Sequence, residues 1–79
     1  MKTITQAVDD VLARHPDWTV ALSRDPENRR WKTEVLDRST GRGVTTYVSD
    51  LEMAQARGDL RVVVLDGIEK QLALGPLEY

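Results

Sequence analysis

The chain has 79 residues, 11 basic and 13 acidic side chains, a net charge of −2, no cysteine and one histidine, His15. This excludes disulfides and a thiol nucleophile, and leaves almost nothing to build a zinc site or a serine–histidine relay. A chain of this length is one domain, here 1–79, close to the size where a single core barely supports folding.

The first predicted element is a helix over about residues 4 to 14. Thr3 and Gln6 fit a capping box, with Ile4, Val8, Val11 and Leu12 at helical spacing behind it. Pro16 disfavours helical geometry at His15 and stops the helix there. Trp18 to Ser23 alternates as a half-buried strand with Trp18, Val20 and Leu22 on one face. Arg24 to Asn28, around Pro26, is a turn. Trp31 to Leu36 is the second strand, with Trp31, Thr33 and Val35 inward and Lys32 and Glu34 toward water. Asp37 to Arg42 is a second turn in which Gly41 is the natural place for a positive φ. Gly43 to Val48, rich in β-branched residues, is the third strand.

Ser49 and Glu52 form a second capping box and open a short helix of about residues 50 to 57, closed by Gly58. In the last segment Leu60, Val63, Val64, Gly67, Ile68, Gln71 and Leu72 repeat at helical spacing, between Asp59 as N-cap and Gly75-Pro76 as stop. Val62 to Val64 and the Asp66-Gly67 pair favour a strand and turn instead. Two matching ends and a four-turn stripe favour one helix over 60–74, since an interior glycine costs a helix only about 1 kcal/mol. The expected fold is α+β, in the order α-β-β-β-α-α, with the helices packed on one face of an antiparallel meander.

No combination of side chains here specifies a reaction. His15, at a helix end before a proline, is expected to act as a cation facing the helix dipole. Asp9 and Asp10 diverge by about 100° on a helix and do not converge on one ligand. Gly41-Arg42-Gly43 joins two strands and lacks the lysine of a phosphate loop. No enzymatic role, metal or cofactor is expected. Trp18 and Trp31 fit core positions, and either one near a sheet edge would also serve as a binding anchor.

The charge is unevenly spread. Arg24, Arg29, Arg30, Lys32, Arg38 and Arg42 give the middle of the chain a positive balance, and the stretch from Gly43 to Tyr79 is negative. These six basic residues are the first candidate partner surface. Val62, Leu65, Leu74, Leu77 and Tyr79 lie off the main stripe of the last helix or continue its apolar character. They are either simply buried or a second face for a partner or for a homodimer. Asp50, Glu52, Asp59, Asp66 and Glu69 are candidates for imitating nucleic-acid phosphates toward a basic protein.

The order helix, three strands, helix resembles the layout of double-stranded RNA-binding domains. That resemblance implies phosphate binding through a lysine-rich start to the last helix. The region from Ser49 to Arg61 instead holds Asp50, Glu52 and Asp59 against Arg57 and Arg61, so the function is not carried over. The stretch from Trp31 to Tyr47 is similar to three-stranded sheets that place a basic hairpin in a DNA groove. In size and acidity the chain is also similar in style to phage-encoded inhibitors of bacterial defence, including the anti-CRISPR proteins. The expected function is therefore a small protein-binding inhibitor or adaptor, with nucleic-acid binding through the arginine-bearing hairpin as the alternative. No apolar run approaches the roughly 18 residues of a membrane span, and no signal-peptide stretch follows Met1, so a cytoplasm is the expected location.

Overall fold

The computed structural model describes residues 2–74. The chain runs α1 (Ile4–Arg14), β1 (Trp18–Asp25), β2 (Arg30–Asp37), β3 (Arg42–Ser49), α2 (Asp50–Gln55) and α3 (Leu60–Leu74). The three strands form one antiparallel sheet in the order β1-β2-β3, the expected α+β arrangement.

Both capping boxes form. Thr3 Oγ1 accepts from the Gln6 N–H and Gln6 Oε1 accepts from the Thr3 N–H; Ser49 and Glu52 repeat the exchange at α2. This satisfies N–H groups that a helix start leaves without intrahelical partners. Helix α1 ends where Pro16 requires, with the His15 N–H closing on the Val11 carbonyl. In the first turn the Asp25 carboxylate accepts from the backbone and side chain of Asn28, and Arg29 takes the left-handed conformation at φ +50°. In the second, Gly41 is left-handed at φ +75° and its N–H closes on the Asp37 carbonyl.

The register puts Trp18, Val20, Leu22 and Arg24 on the same face as Asp37, Val35, Thr33 and Trp31, and as Arg42, Val44, Thr46 and Val48. Helices α1 and α3 pack on this inner face. Ala7, Val11, Trp18, Val35, Leu65, Ile68 and Leu72 make the continuous core, with Ile4, Val8, Leu12, Val20, Val44, Val62 and Val64 packed around it. Each large aliphatic side chain so buried contributes about 1.5–3 kcal/mol.

Several expectations are corrected. The last segment is one helix, but it is turned by about a quarter turn from the expected face. Leu65 is wholly buried at 0% exposure, so it belongs to the core and to no second face. Val63, expected inward, is 65% exposed. Apolar residues occur all around α3, so their spacing does not fix which side packs; the position of α1 and the sheet decides it. Val62 is partly buried against the core, Leu74 is 83% exposed, and Leu77, Tyr79 and the Gly75-Pro76 stop lie outside the described residues. Leu22 faces inward but at 38% exposure lies largely outside the helices' cover. Helix α2 ends at Gln55, two residues early, because Ala56 is extended.

Candidate binding surface

Among the described residues, nothing covers the other side of the sheet. Thr19, Ala21, Ser23, Glu34, Leu36, Gly43, Thr45 and Tyr47 are all exposed on it, with Asp25, Arg30 and Lys32 half-buried beside them. The alternation of each strand sends every second residue here. The helices are already engaged with the opposite face.

Two large apolar side chains stand on this platform, Leu36 at 43% and Tyr47 at 44% exposure. The Arg30 guanidinium lies 3.8 Å from the Tyr47 ring centroid, a cation–π contact on the open face. Arg30 Nε also donates to Asp25 Oδ2 at 3.0 Å. Hydrogen bonds from Asn28 and then from Arg30 hold the Asp25 carboxyl below the usual carboxylate range. Lys32 Nζ meets Glu34 Oε1 at 2.6 Å, which raises the lysine further above its ordinary value. Around Leu36 the neighbours are small, and Thr19, Ala21, Glu34, Gly43 and Thr45 line a shallow hollow of about 260 Å³. A Cβ at Gly43 would come within 3.3 Å of the Val35 carbonyl oxygen, a tight approach to backbone that the glycine avoids.

The six basic residues proposed as a partner surface do not form one patch. Arg24, Arg29 and Arg30 lie at the end of the sheet that carries the first turn, and Arg38 and Arg42 at the opposite end; Lys32 lies between on the open face. Their partners also differ. Arg24 reaches from the inner face to a two-pronged ion pair with Asp50, with its guanidinium 5.0 Å from the Trp31 ring centroid. Arg61 approaches the same ring at 4.5 Å while pairing with Asp59 at 2.7 Å. Trp31 is thereby clamped by two arginines, each neutralised by an aspartate. Arg38 donates to the carbonyls of Asp17 and Pro16 and fastens the second turn to the end of α1. Arg29 and Arg42 make no ion pair among the described residues.

Of the acidic candidates, Asp50, Glu52, Asp59 and Glu69 are likewise occupied, whereas Asp66 makes no ion pair among the described residues. Asp50 and Asp59 serve the tryptophan clamp, and Glu52 caps α2. Glu69 accepts from Arg14 and lies 3.1 Å from His15 Nε2, whose ring stacks on Trp18 at 3.8 Å. His15 thus faces a carboxylate as well as the end of α1. No group of three metal-ligating side chains converges among the described residues.

A second concavity, of about 300 Å³, lies where the α2–α3 connection meets the start of α3. Ala56, Leu60, Val62 and Val63 give it an apolar lining, with Lys2, Arg57 and Asp59 as its charged members. It contains Val62, one of the residues expected on the second face.

Leu36 and Tyr47 were not among the candidate residues. Their signal was the register: each is an outward neighbour of an inward valine, Val35 and Val48, on a sheet with helices enough to cover one face only. No helix among the described residues is long and apolar enough to cross a membrane. Comparison with protein-family models, curated proteins and solved structures found no match to this chain.

Proposed function

We propose that this chain is a non-enzymatic binding module that inhibits or adapts a larger protein in a cytoplasm, docking through the open face of its sheet. The single observation that supports this reading is the pairing of Arg30 with Tyr47 beside Leu36, on a face that the helices leave uncovered. Tyrosine and arginine are, with tryptophan, the side chains enriched as energetic anchors of interfaces, and Leu36 with its hollow supplies an adjoining apolar site. The anchors are held in place before binding, so little side-chain freedom remains to be lost on docking.

Nucleic acid has less support as the partner. Arg24, Arg30 and Lys32 are each paired with an acid and Arg38 is committed to backbone carbonyls, so the net positive field available for displacing counterions is small. Phosphate mimicry by Asp50, Asp59 and Glu69 has the same weakness, since each already faces an arginine.

The test is parallel affinity capture from host lysate with the wild-type chain and with Leu36→Asp, Tyr47→Ala and Val63→Asp variants. The open-face reading expects a protein species retained by the wild type and by Val63→Asp but lost from the first two. Loss with Val63→Asp alone moves the contact to α3 and its adjoining concavity. Retardation of DNA or RNA in a low-salt gel shift, with no protein retained, replaces the reading with the nucleic-acid alternative.

A further inference from the structure

We infer that two copies of this chain pair through the free edge of β3, antiparallel about a two-fold axis at Thr46, making one continuous sheet. The inference stands independently of the partner proposed above.

Strand β3 hydrogen-bonds to β2 on one side only, and no strand lies beyond it among the described residues. Natural edge strands are guarded against pairing by lysines, prolines, bulges or inward charges. Apart from the inward Arg42 at its first position, this edge has none of these: from Gly43 to Ser49 the residues are Gly, Val, Thr, Thr, Tyr, Val and Ser. Arg42 is the only charge on the strand. The other edge strand, β1, differs in ending on Arg24 and Asp25.

The register follows from matching faces. Residues directly opposed in an antiparallel pair point to the same side of the sheet, so inward residues must meet inward residues. With Thr46 on the axis, Thr46 meets the partner's Thr46, Val44 meets the partner's Val48, and Arg42 comes opposite the partner's Asp50. Arg42 makes no ion pair among the described residues, and Asp50, the first residue of α2 immediately beyond the strand, already pairs with Arg24 of its own chain, so that Arg42 would join it as a second cation. The two-fold axis repeats this opposite-charge meeting at both ends of the strand pair. Shifting the axis to Thr45 brings Arg42 against the partner's Val48, and shifting it to Tyr47 brings Val44 against the partner's Asp50. Only the Thr46 register matches charge with charge and valine with valine.

Thr46 itself adds an independent observation. Its Oγ1 is the one buried side-chain polar atom without a hydrogen-bond partner among the described residues. The residue as a whole is only partly buried, and the proposed dimer requires a rotation about χ1 that turns the hydroxyl to the free edge. There it faces the same hydroxyl of the second copy, and cross-strand Thr–Thr hydrogen bonds are a recurrent stabilising pair.

The experiment is sedimentation equilibrium on the full chain, combined with disulfide trapping. The chain has no native cysteine, so any disulfide reports the introduced pair alone. In the Thr46→Cys variant the two Cα atoms stand about 4.5–5.5 Å apart, within disulfide range. In Thr45→Cys they are offset along the strands to about 8 Å, beyond it. We expect a reversible wild-type dimer, a covalent dimer of Thr46→Cys on oxidation, and none of Thr45→Cys. Arg42→Glu, on an accessible strand end, should weaken the dimer about tenfold, and high salt should weaken the wild-type dimer in the same direction. A wild-type chain that is monomeric at every concentration overturns the inference and leaves the edge to a strand of another protein. A dimer that Thr46→Cys does not trap, or that Thr45→Cys traps equally well, also overturns it. So does a dimer that Arg42→Glu leaves unchanged and Val63→Asp dissociates, because its interface is then α3.

Discussion

Arg14 donates two hydrogen bonds to Glu69, at 2.7 and 2.9 Å, and so ties the end of the first helix to the third across 55 positions of sequence. These bonds lower the Glu69 carboxyl below its ordinary value, against the opposing effect of burial and with help from His15. A carboxyl held low in the folded state contributes stability that is complete above its unfolded value of about 4.3 and is lost as the pH falls through the folded value. Thermal unfolding followed from pH 6 to pH 2 should therefore show the wild-type Tm falling more steeply through the acid range than that of Glu69→Gln. The two curves should converge at the acid end. Parallel curves would show that the bridge adds no pH-linked stability.

The rotation of α3 makes a sharp contrast between two leucines on one helix. Leu65 is fully buried and Leu74 is 83% exposed. Leu65→Ala should cost about 2–5 kcal/mol in urea unfolding, through lost burial and the cavity left behind. Leu74→Ala should stay within about 0.5 kcal/mol. A cost at Leu65 as small as that expected at Leu74 would mean that α3 packs by the face the spacing suggested.

The elements were legible in the sequence because their ends carry local chemistry. Thr3 with Gln6 and Ser49 with Glu52 cap helices by contacts three residues apart, and Pro16 and Gly41 act on their own backbone, so neighbours alone decide them. The strands were read short at their ends because pairs such as Asp25 with Arg30 and Asp37 with Arg42 exist only once the register is set. The packing face of α3 was not legible for a related reason. A helix with leucines and valines on every side is oriented by what it meets, and Leu65 meets α1 and the sheet. The candidate surface was legible only as a list of arginines. Charge counts along the chain do not say that Arg24 and Arg30 point to opposite faces, or that Asp50 and Asp25 neutralise them.

Two glycines should respond oppositely to the same change. Gly67 lies inside α3 with no atom within 4 Å of the position a Cβ would take. Gly67→Ala should stabilise the fold by about 0.5–1 kcal/mol, by removing backbone freedom from the unfolded chain and raising helix propensity. Gly41 also has open space around it, but its φ is +75°. Gly41→Ala should destabilise by about 1 kcal/mol, since the cost there is conformational and not steric contact. Calorimetric Tm values moving in the same direction would contradict the pair.

Tyr47 offers the cleanest separation of binding from folding. Its ring is 44% exposed on the open face and lies against Arg30, itself anchored by Asp25. Truncating it removes a half-covered ring on the sheet surface and no part of the core, so Tyr47→Ala should lower the unfolding free energy by only about 1 kcal/mol. If the open face is the docking surface, the same change removes a central aromatic anchor and should weaken partner affinity by about 30-fold or more, the scale of an interface hot spot. Tyr47→Phe keeps the ring under the Arg30 guanidinium and should retain most of the affinity unless the hydroxyl is itself bonded by the partner. Titration calorimetry against the captured partner, with circular dichroism melts of the same samples, reads both effects. Affinity unchanged in Tyr47→Ala would remove the open face from the contact, and a collapsed melt would show that the ring is part of the core.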